Sequence, residues 1–235
     1  MSNDYFKFKQ FTIRQDRCAM KVGTDGTLLG AWASAPNGPC RILDVGTGTG
    51  LIALMMAQRF PQSTIIGIDI DNDAVTQAIE NVKASPFANQ IQILKCDIAD
   101  FQEKMFDVIV SNPPFFISSL ECPDDKRTTA RHTKSLSYET LMRSSARLLD
   151  DKGHLSVIVP TDYCSRLVSE ASLNGFNVSR KYLVKTSPRK PSKRCLIEFV
   201  KYPVNQFDTK EIVLCNSTNE RSDGYNELVK DFYIK

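Results

Sequence analysis

The stretch ILDVGTGTGL, residues 42–51, decides the fold of this chain. Its first residues form a mostly apolar run typical of a buried strand, and glycines follow at 46, 48 and 50. Glycine permits a tight turn and lets a ligand approach the backbone with no Cβ in the way. The helical pattern that begins at Leu51 would point free N–H groups at such a ligand. The stretch therefore predicts a strand, a binding loop and a helix, with a bare tight turn as the alternative.

The spacing of the glycines bears on which ligand the loop would bind. A dinucleotide site has the pattern G-x-G-x-x-G. Counted from Gly46 and Gly48, the third glycine should stand at position 51, where the chain has Leu51, and Gly50 comes one residue early. Dinucleotide binding is therefore the weaker interpretation.

Strands and helices alternate on both sides of this stretch. Strands are predicted at Arg41–Val45, Thr64–Ile70, Ile91–Cys96, Phe106–Ser111, His154–Val159 and Cys195–Lys201. Helices are predicted at Leu51–Arg59, Asp73–Ala84, Ser137–Asp150 and Asp162–Asn174. Such alternation predicts an α/β fold, a doubly wound and mostly parallel sheet with helices on both faces. We expect one domain over residues 1–235, in which residues 1–35 form an N-terminal cap over the binding site.

Carboxylates stand at the ends of three consecutive predicted strands: Asp44, Asp69 and Asp97. In open α/β sheets, ligands bind beyond the carboxyl ends of the strands. There Asp69 could accept both hydroxyls of a ribose and Asp97 an adenine amino group. Asp69 could instead cap the next helix, although Asp71 and Asn72 are better placed to do so, and Asp97 alone would be interpreted as a surface turn residue. Spacing by itself predicts only a nucleoside-type ligand.

This combination of a glycine loop with three strand-end carboxylates resembles the class I S-adenosylmethionine (SAM) methyltransferases. The resemblance covers roughly residues 20–200. It implies a Rossmann-like, seven-stranded, mostly parallel sheet with SAM as the cofactor. By matching positions, the implied cofactor-binding residues are Asp44, Gly46, Gly48, Asp69, Ile70, Asp97 and Asn112.

The predicted strand Phe106–Ser111 ends on Asn112-Pro113-Pro114-Phe115. A residue before proline is restricted to extended backbone angles. The side-chain carbonyl of Asn112 and the backbone carbonyl of Pro113 should therefore be held in a fixed arrangement. Two rigid acceptors suit the diverging hydrogens of a planar –NH2 group. In the transfer of an activated group, such positioning and electrostatics supply most of the rate. Phe115 could stack on a flipped-out base, which contributes about 1–3 kcal/mol. The alternative is a strand terminator followed by core phenylalanines.

Asn-Pro-Pro-[Phe/Tyr] is similar to the motif of methyltransferases that act on adenine N6, guanine N2 and glutamine amides. The resemblance implies catalytic roles for Asn112, Pro113 and Phe115. It names the type of nitrogen and leaves the substrate open. A ribosomal-RNA guanine-N2 methyltransferase usually carries a duplicated domain, and a protein glutamine methyltransferase favours Tyr after Pro-Pro and has a helical N-terminal domain.

Further segments resemble the bacterial family that methylates N6 of adenosine 37, beside the anticodon of a valine tRNA. They include KVGTDG at 21–26, LLGAW at 28–32, TARHTKSLS, SPRKPSKR and a terminal Asp-Phe-Tyr at 231–233. The match implies that Thr24 and Asp25 close over the methionine end of the cofactor. They could equally cap the helix that contains Leu28–Ala33.

Basic residues are concentrated in two segments. Seven lie between Arg180 and Arg194 with no acid among them, and a second group follows Phe116. A local positive field of this kind suits a phosphate backbone, and RNA loops expose bases at little cost. A solvated basic loop is the alternative. The RNA-binding candidates are Arg127, Arg131, His132, Arg189, Lys190, Lys193 and Arg194.

The composition places the chain among ordinary globular proteins, with 42% hydrophobic and 24% charged residues and a net charge of +3. No apolar run is long enough for a membrane span, and the first residues are not a signal peptide. Seven dispersed cysteines, with no C-x-x-C pair, and only two histidines argue against a zinc site or a redox pair, and they suit free thiols in a reducing compartment. We therefore expect a cytoplasmic enzyme that binds the anticodon loop of tRNA, no membrane, and no obligate protein partner.

Overall fold

The computed structural model describes residues 3–18, 20–103, 105–114 and 136–234. Within them the strands are β1 Tyr5–Lys7, β2 Thr12–Arg14, β3 Arg41–Val45, β4 Thr64–Asp69, β5 Ile91–Lys95, β6 Phe106–Ser111, β7 Leu149–Pro160, β8 Asn177–Lys185, β9 Ser192–Val200 and β10 Asp208–Val213. The helices are α1 Thr24–Trp32, α2 Leu51–Arg59, α3 Asn72–Lys83, α4 Tyr138–Leu148, α5 Cys164–Leu173 and α6 Asp223–Val229, with a 3-10 turn at Thr161–Tyr163.

Eight of these strands form one sheet in the order β10-β8-β9-β7-β6-β3-β4-β5. All neighbours pair in parallel except β9, which is antiparallel to both β7 and β8. The chain order reverses direction across the sheet between β3 and β6, and ligands of doubly wound sheets bind at such a point. The predicted Rossmann-like α/β fold is confirmed.

Each face of the sheet carries its own hydrophobic core. One core packs α1, α2, α3 and α6 against side chains such as Val108 and Val110. The other packs α4 and α5 against side chains such as Ile109 and Val157. Strand β6 contributes side chains to both cores, because successive side chains of a strand point to opposite faces of the sheet. Helices on both faces leave the carboxyl ends of the parallel strands as the place for a ligand.

The structure extends the predicted elements at the far edge of the sheet. The sequence predicts a seven-stranded sheet, and among the described residues the main sheet has eight strands, because β10 adds to β8 in parallel. Residues 203–225 read as a loop or hairpin in sequence, and β10 forms there with most of its residues exposed. The half-buried strand β8 is also not predicted from the sequence, because its basic residues interrupt the alternation of apolar and polar side chains.

The N-terminal residues pack against the sheet domain. The hairpin of β1 and β2 places Phe8, Phe11 and Ile13 in the same core as α1 and α2. The backbone of Arg14 exchanges hydrogen bonds with the Asn81 side chain of α3 at 2.8 and 2.9 Å. Among the helices of the described ranges, none is both long and apolar enough to cross a membrane.

Candidate active site

The glycine loop leaves the end of β3 through left-handed backbone conformations. Gly46, Gly48 and Gly50 have φ of 70°, 56° and 81°, a region that side chains with a Cβ rarely adopt. A Cβ built on Gly46 would meet no atom within 4 Å. The Gly46 and Thr47 amides donate to the Ile68 carbonyl of β4 at 2.9 and 3.0 Å. The loop is thus fixed against the sheet on one side and open on the other.

Asp69, at the end of β4, is oriented by the backbone around it. The Gly48 amide donates to its Oδ2 at 2.9 Å and the Asp71 amide to its Oδ1 at 3.0 Å. Each carboxylate oxygen can accept a further hydrogen bond. The predicted helix cap is Asp71, whose Oδ1 accepts from the Asp73 and Ala74 amides. Asp69 is therefore not needed as a cap.

Asp97 follows β5 and is exposed. Its Oδ1 accepts from the Ala99 amide at 2.9 Å, which closes a turn. The turn interpretation and the binding interpretation are compatible, since Asp97 also lines the cavity described below.

Asp44 lies behind the glycine loop and is fully buried. Its Oδ2 accepts from the Thr47 hydroxyl at 2.7 Å and from the Ala53 amide at 3.1 Å. Its Oδ1 is buried with no hydrogen-bond partner among the described residues. Burial raises the pKa of the Asp44 carboxyl to about 7, against the opposing effect of those two hydrogen bonds. A donor, above all a cationic one, would satisfy Oδ1 and favour the ionised form.

Asn112 follows the last residue of β6. The Ser111 hydroxyl donates to the Val45 carbonyl at 2.9 Å and so ties the end of β6 to the end of β3. The Asn112 Oδ1 is buried with no hydrogen-bond partner among the residues described. Pro113 is buried and Pro114 half-buried, and neither has an N–H to offer. A buried acceptor without a donor costs free energy, so this oxygen is suited to a ligand donor.

These residues meet around one cavity of about 410 Å³, a volume typical of small-molecule sites. Of the predicted site residues, those that line it are Gly46, Gly48, Asp69, Ile70, Asp97 and Asn112. Thr24 and Asp25 are not among the lining residues, and Asp44 lies behind the loop. The carboxyl ends of β3, β4, β5 and β6 thus contribute jointly to one site.

A family model decides which group of proteins the chain belongs to. The model of the methyltransferase small domain matches residues 28–181, more than half of the chain. The chain belongs to the methyltransferase small domain family. It is an enzyme, and the cavity at the carboxyl edge of its sheet is the candidate active site.

Full-length relatives are similar to this methyltransferase. Proteins named tRNA1(Val) (adenine(37)-N6)-methyltransferase from Parabacteroides distasonis and Bacteroides thetaiotaomicron are 47% and 46% identical to it. The alignments cover 100% of this chain and 100% and 99% of theirs. The resemblance to the valine-tRNA family is confirmed. A solved structure described as a predicted O-methyltransferase, from Agrobacterium tumefaciens, has a TM-score of 0.71 over 88% of this chain and 96% of that one; at 16% identity it shows the fold alone.

S-adenosylmethionine is the methyl donor of this methyltransferase. The residues that line the cavity and lie behind its glycine loop fit it. Behind the loop, the Asp44 Oδ1 has no hydrogen-bond partner within the described ranges and suits the ammonium of an amino acid, and the open side of Gly46 leaves room for a bound chain. Asp69 retains acceptor capacity for ribose hydroxyls, and Ile70, 43% exposed, offers an apolar surface. The cofactor supplies an electrophilic methyl group on a sulfonium sulfur.

Several cavity residues were not found from the sequence. Cys18 and Met20 reach the cavity from the N-terminal segment, and Leu136, Thr140 and Arg143 from the region of α4. The prediction of an N-terminal cap pointed to the first two without naming them. Burial raises the pKa of the Cys18 thiol to about 11, with Asp69, Asp71 and Asp73 adding to the shift. Cys18 is therefore a neutral thiol and not a nucleophile at physiological pH.

The basic residues of SPRKPSKR lie at the tip of the hairpin formed by β8 and β9. Arg189 and Lys190 are in the turn, and Lys193 and Arg194 are near the start of β9. Arg189, Lys190 and Lys193 are exposed. The pairing of Pro160 with Arg194 puts this hairpin at the carboxyl end of β7, the same edge of the sheet as the cavity. Arg194 differs from the other three, because its Nε donates to Asp25 Oδ2 at 2.7 Å.

Thr24 and Asp25 are the first two residues of α1. The N-cap is Gly23, and no side chain caps the helix, so the helix-cap alternative is not what the structure has. Of the remaining predicted site residues, Phe115, Arg127, Arg131 and His132 lie outside the described residues, as does Phe116, and their roles stay predictions.

Proposed function

We propose that this methyltransferase transfers the methyl group of S-adenosylmethionine to N6 of adenosine 37 in the anticodon loop of a valine tRNA. The relatives that align over the full chain bear the name of this reaction. The sequence motifs, by resemblance, imply the same reaction.

The observation that carries the proposal is the buried Oδ1 of Asn112 at the cavity, which has no hydrogen-bond partner among the residues that the structure describes. A buried acceptor of this kind needs a donor, and an exocyclic amine provides two N–H groups. A hydroxyl substrate would offer one hydrogen and would leave the rigid arrangement of Asn112 and Pro113 half used. The site therefore supports an amino nitrogen as the methyl acceptor.

The residues of the site act mainly by positioning. The adenine amine is a weak nucleophile because its lone pair is delocalised into the ring. We propose that Asn112 Oδ1 and the Pro113 carbonyl accept its two hydrogens, which favours a pyramidal nitrogen aimed at the donor. The proton leaves after transfer, so no strong base is required in the site. Fixed acceptors of this type stabilise a transition state without reorganisation.

Recognition of RNA would use the hairpin and the residues after Asn112. Exposed Arg189, Lys190 and Lys193 lie at the cavity edge of the sheet, where they suit phosphates next to an extruded base. Phe115 would stack on that base, and Arg127, Arg131 and His132 would add phosphate contacts. Residues 1–35 would act as the cap over the cofactor. A tRNA substrate also makes the cytoplasm the compartment that we propose.

The test is methyl transfer from labelled S-adenosylmethionine to an unmodified valine tRNA, followed by nucleoside analysis. We expect label as N6-methyladenosine at position 37. The matched control is the same tRNA with guanosine at position 37, which should accept no label. Label in a protein fraction, or as N2-methylguanosine in RNA, would rule out the proposed substrate and favour one of the alternative amine substrates.

A further inference from the structure

An ion pair between Asp25 and Arg194 joins the N-terminal region to the basic hairpin. Arg194 Nε lies 2.7 Å from Asp25 Oδ2, and the two side chains are 33% and 21% exposed. The sequence had given these residues separate roles, one toward the cofactor and one toward RNA. In the structure they contact each other, which raises the question of what the contact does.

Asp25 ends a segment that borders the cofactor cavity. This cap segment (residues 15–18 and 20–25) begins at α3, where the Arg17 amide donates to Gln77 Oε1 at 3.1 Å and the Arg17 guanidinium pairs with Glu80 at 2.8 Å. Further along, Cys18 and Met20 line the cavity. The segment is thus attached to α3 at one end and to the hairpin through Asp25 at the other, with the cavity between.

Arg194 stands on the substrate side of the same edge. Ser111 of β6 pairs with Val157 of β7, and Pro160 of β7 pairs with Arg194 of β9. With strands about 4.8 Å apart and a rise of about 3.3 Å per residue, Arg194 is on the order of 12 Å from Asn112 between Cα atoms. An extruded nucleotide with its flanking phosphates can reach across that distance.

We propose that the Asp25–Arg194 ion pair couples cofactor binding to RNA binding. RNA on the hairpin would restrain Arg194, and S-adenosylmethionine in the cavity would restrain the cap segment, so each ligand favours the arrangement that the other needs. Coupling between two ligands is reciprocal. Asp25 and Arg194 are thus positioning residues, and the inference rests on the proposed tRNA substrate.

The test is a binding cycle on the full-length protein. The Kd for S-adenosylmethionine is measured with and without saturating valine tRNA that carries guanosine at position 37, which should accept no methyl group, and the Kd for this tRNA is measured with and without the cofactor. For the unmodified protein we expect each ligand to tighten the other about fivefold, the low end of usual coupling, because the pair is partly exposed. Asp25→Asn and Arg194→Gln should each reduce the coupling factor to about one.

Further variants separate positioning from loss of a side chain. Asp25→Glu keeps the charge of the ion pair and leaves Arg194 available to RNA, so it should retain the coupling. Glu211→Gln is the matched control, since it breaks the Lys185–Glu211 pair of the same 2.7 Å length on the outer strand. It should leave the coupling unchanged. Arg189→Gln should weaken tRNA binding equally with and without the cofactor.

The possible results are distinguishable. Weaker cofactor binding in Asp25→Asn without tRNA, and not in Arg194→Gln, would mean that Asp25 contacts the cofactor, and it would overturn the proposal. A coupling factor of one in the unmodified protein would also overturn it. If the direct titration shows no tRNA binding at all, the proposed substrate itself is wrong, a result that the titration separates from a mere lack of coupling.

Discussion

The two halves of the carboxyl edge of the sheet are built differently. On the cofactor half, the ends of β3, β4 and β6 hold the site through buried groups and backbone hydrogen bonds, such as the Gly48 amide on Asp69. On the hairpin half, beyond β7, the candidate binding groups are long and exposed side chains, with Arg189 and Lys190 as examples. The first half should respond to the loss of single atoms, and the second to charge and salt concentration.

The largest expected effect of a single change is on the cofactor half. Asn112→Ala removes the buried acceptor and should lower the rate of methyl transfer about 1000-fold, the upper range for loss of one fixed polar group. The Kd for S-adenosylmethionine should change little, because the proposed partner of Oδ1 is the substrate amine. Single-turnover kinetics and calorimetric titration of the cofactor measure the two quantities.

Asn226→Ala, an exposed change on α6, is the control for the Asn112 variant and should leave both quantities unaltered. Unchanged turnover in Asn112→Ala would refute the assigned role. A loss of cofactor affinity equal to the loss of rate would instead show that Asn112 binds the cofactor and not the substrate amine.

The second prediction uses the pH dependence of stability. The pKa of Asp44 is raised by burial from 3.8 to about 7, so the folded ligand-free protein keeps a proton that the unfolded chain releases. Its contribution to stability is complete below about pH 4 and is lost as the pH rises toward 7. Within that window the unfolding free energy should fall by about 1.4 kcal/mol per pH unit more than in Asp44→Asn. Urea unfolding at pH 5, 6 and 7 measures the difference.

Equal slopes for the two proteins between pH 5 and 7 would contradict an Asp44 that is protonated near neutrality without ligand. Asp44→Asn should also bind S-adenosylmethionine more weakly at pH 8, since an amide lacks the negative charge for an ammonium. Asp44→Asn should therefore change both the affinity for S-adenosylmethionine and the pH dependence of the unfolding free energy. No substitution of an exposed hairpin residue should change both.

The third prediction separates backbone strain from loss of ligand space. Gly46→Ala and Gly175→Ala place a Cβ at φ of 70° and 80°, and in both cases no atom lies within 4 Å of it. Both variants should lose about 1–2 kcal/mol of stability. Of the two variants, Gly46→Ala alone should bind S-adenosylmethionine more weakly, roughly tenfold, because Gly46 lines the cavity and Gly175 does not. Equal cofactor affinity in the two variants would show that the ligand does not approach this glycine.

The cofactor half could be predicted from the sequence because its signals are local. Strands Arg41–Val45 and Phe106–Ser111 have the bounds that their apolar runs indicate. The glycine loop follows β3 directly and Asp69 is the last residue of β4, so strand order alone brings them together. Asp71 as the helix cap is confirmed by its bonds to the amides of Asp73 and Ala74.

The hairpin half was harder to predict, because its structure depends on distant contacts. Strand β8 is half-buried and rich in basic residues, and β10 pairs with it at a separation of 28 positions in sequence, as in Asp208 with Arg180. The Asp25–Arg194 contact joins residues 169 positions apart. Their chemical types are visible in the sequence, but no local pattern shows that the two side chains meet.

The smallest expected effect is on the hairpin half. The double charge reversal K190E/K193E should weaken tRNA binding about fivefold to tenfold at physiological salt, because two candidate phosphate contacts are lost. The slope of log K against log salt should become shallower by about 1.4, which corresponds to two contacts on a single strand. Cofactor affinity without tRNA should stay the same. Filter binding across a salt series measures the slope.

The matched control for this reversal is K83E/K152E. Lys83 ends α3, and Lys152 lies near the start of β7, between its Leu149 and His154 pairings with β6, so both exposed lysines lie toward the opposite ends of the parallel strands. The control changes the net charge by the same amount and should lower tRNA affinity less, through long-range repulsion alone, with the slope nearly unchanged. If the two double variants lose affinity and slope equally, net charge and not the hairpin explains the effect. The hairpin would then be a solvated loop, and RNA contacts would have to be sought elsewhere on the protein.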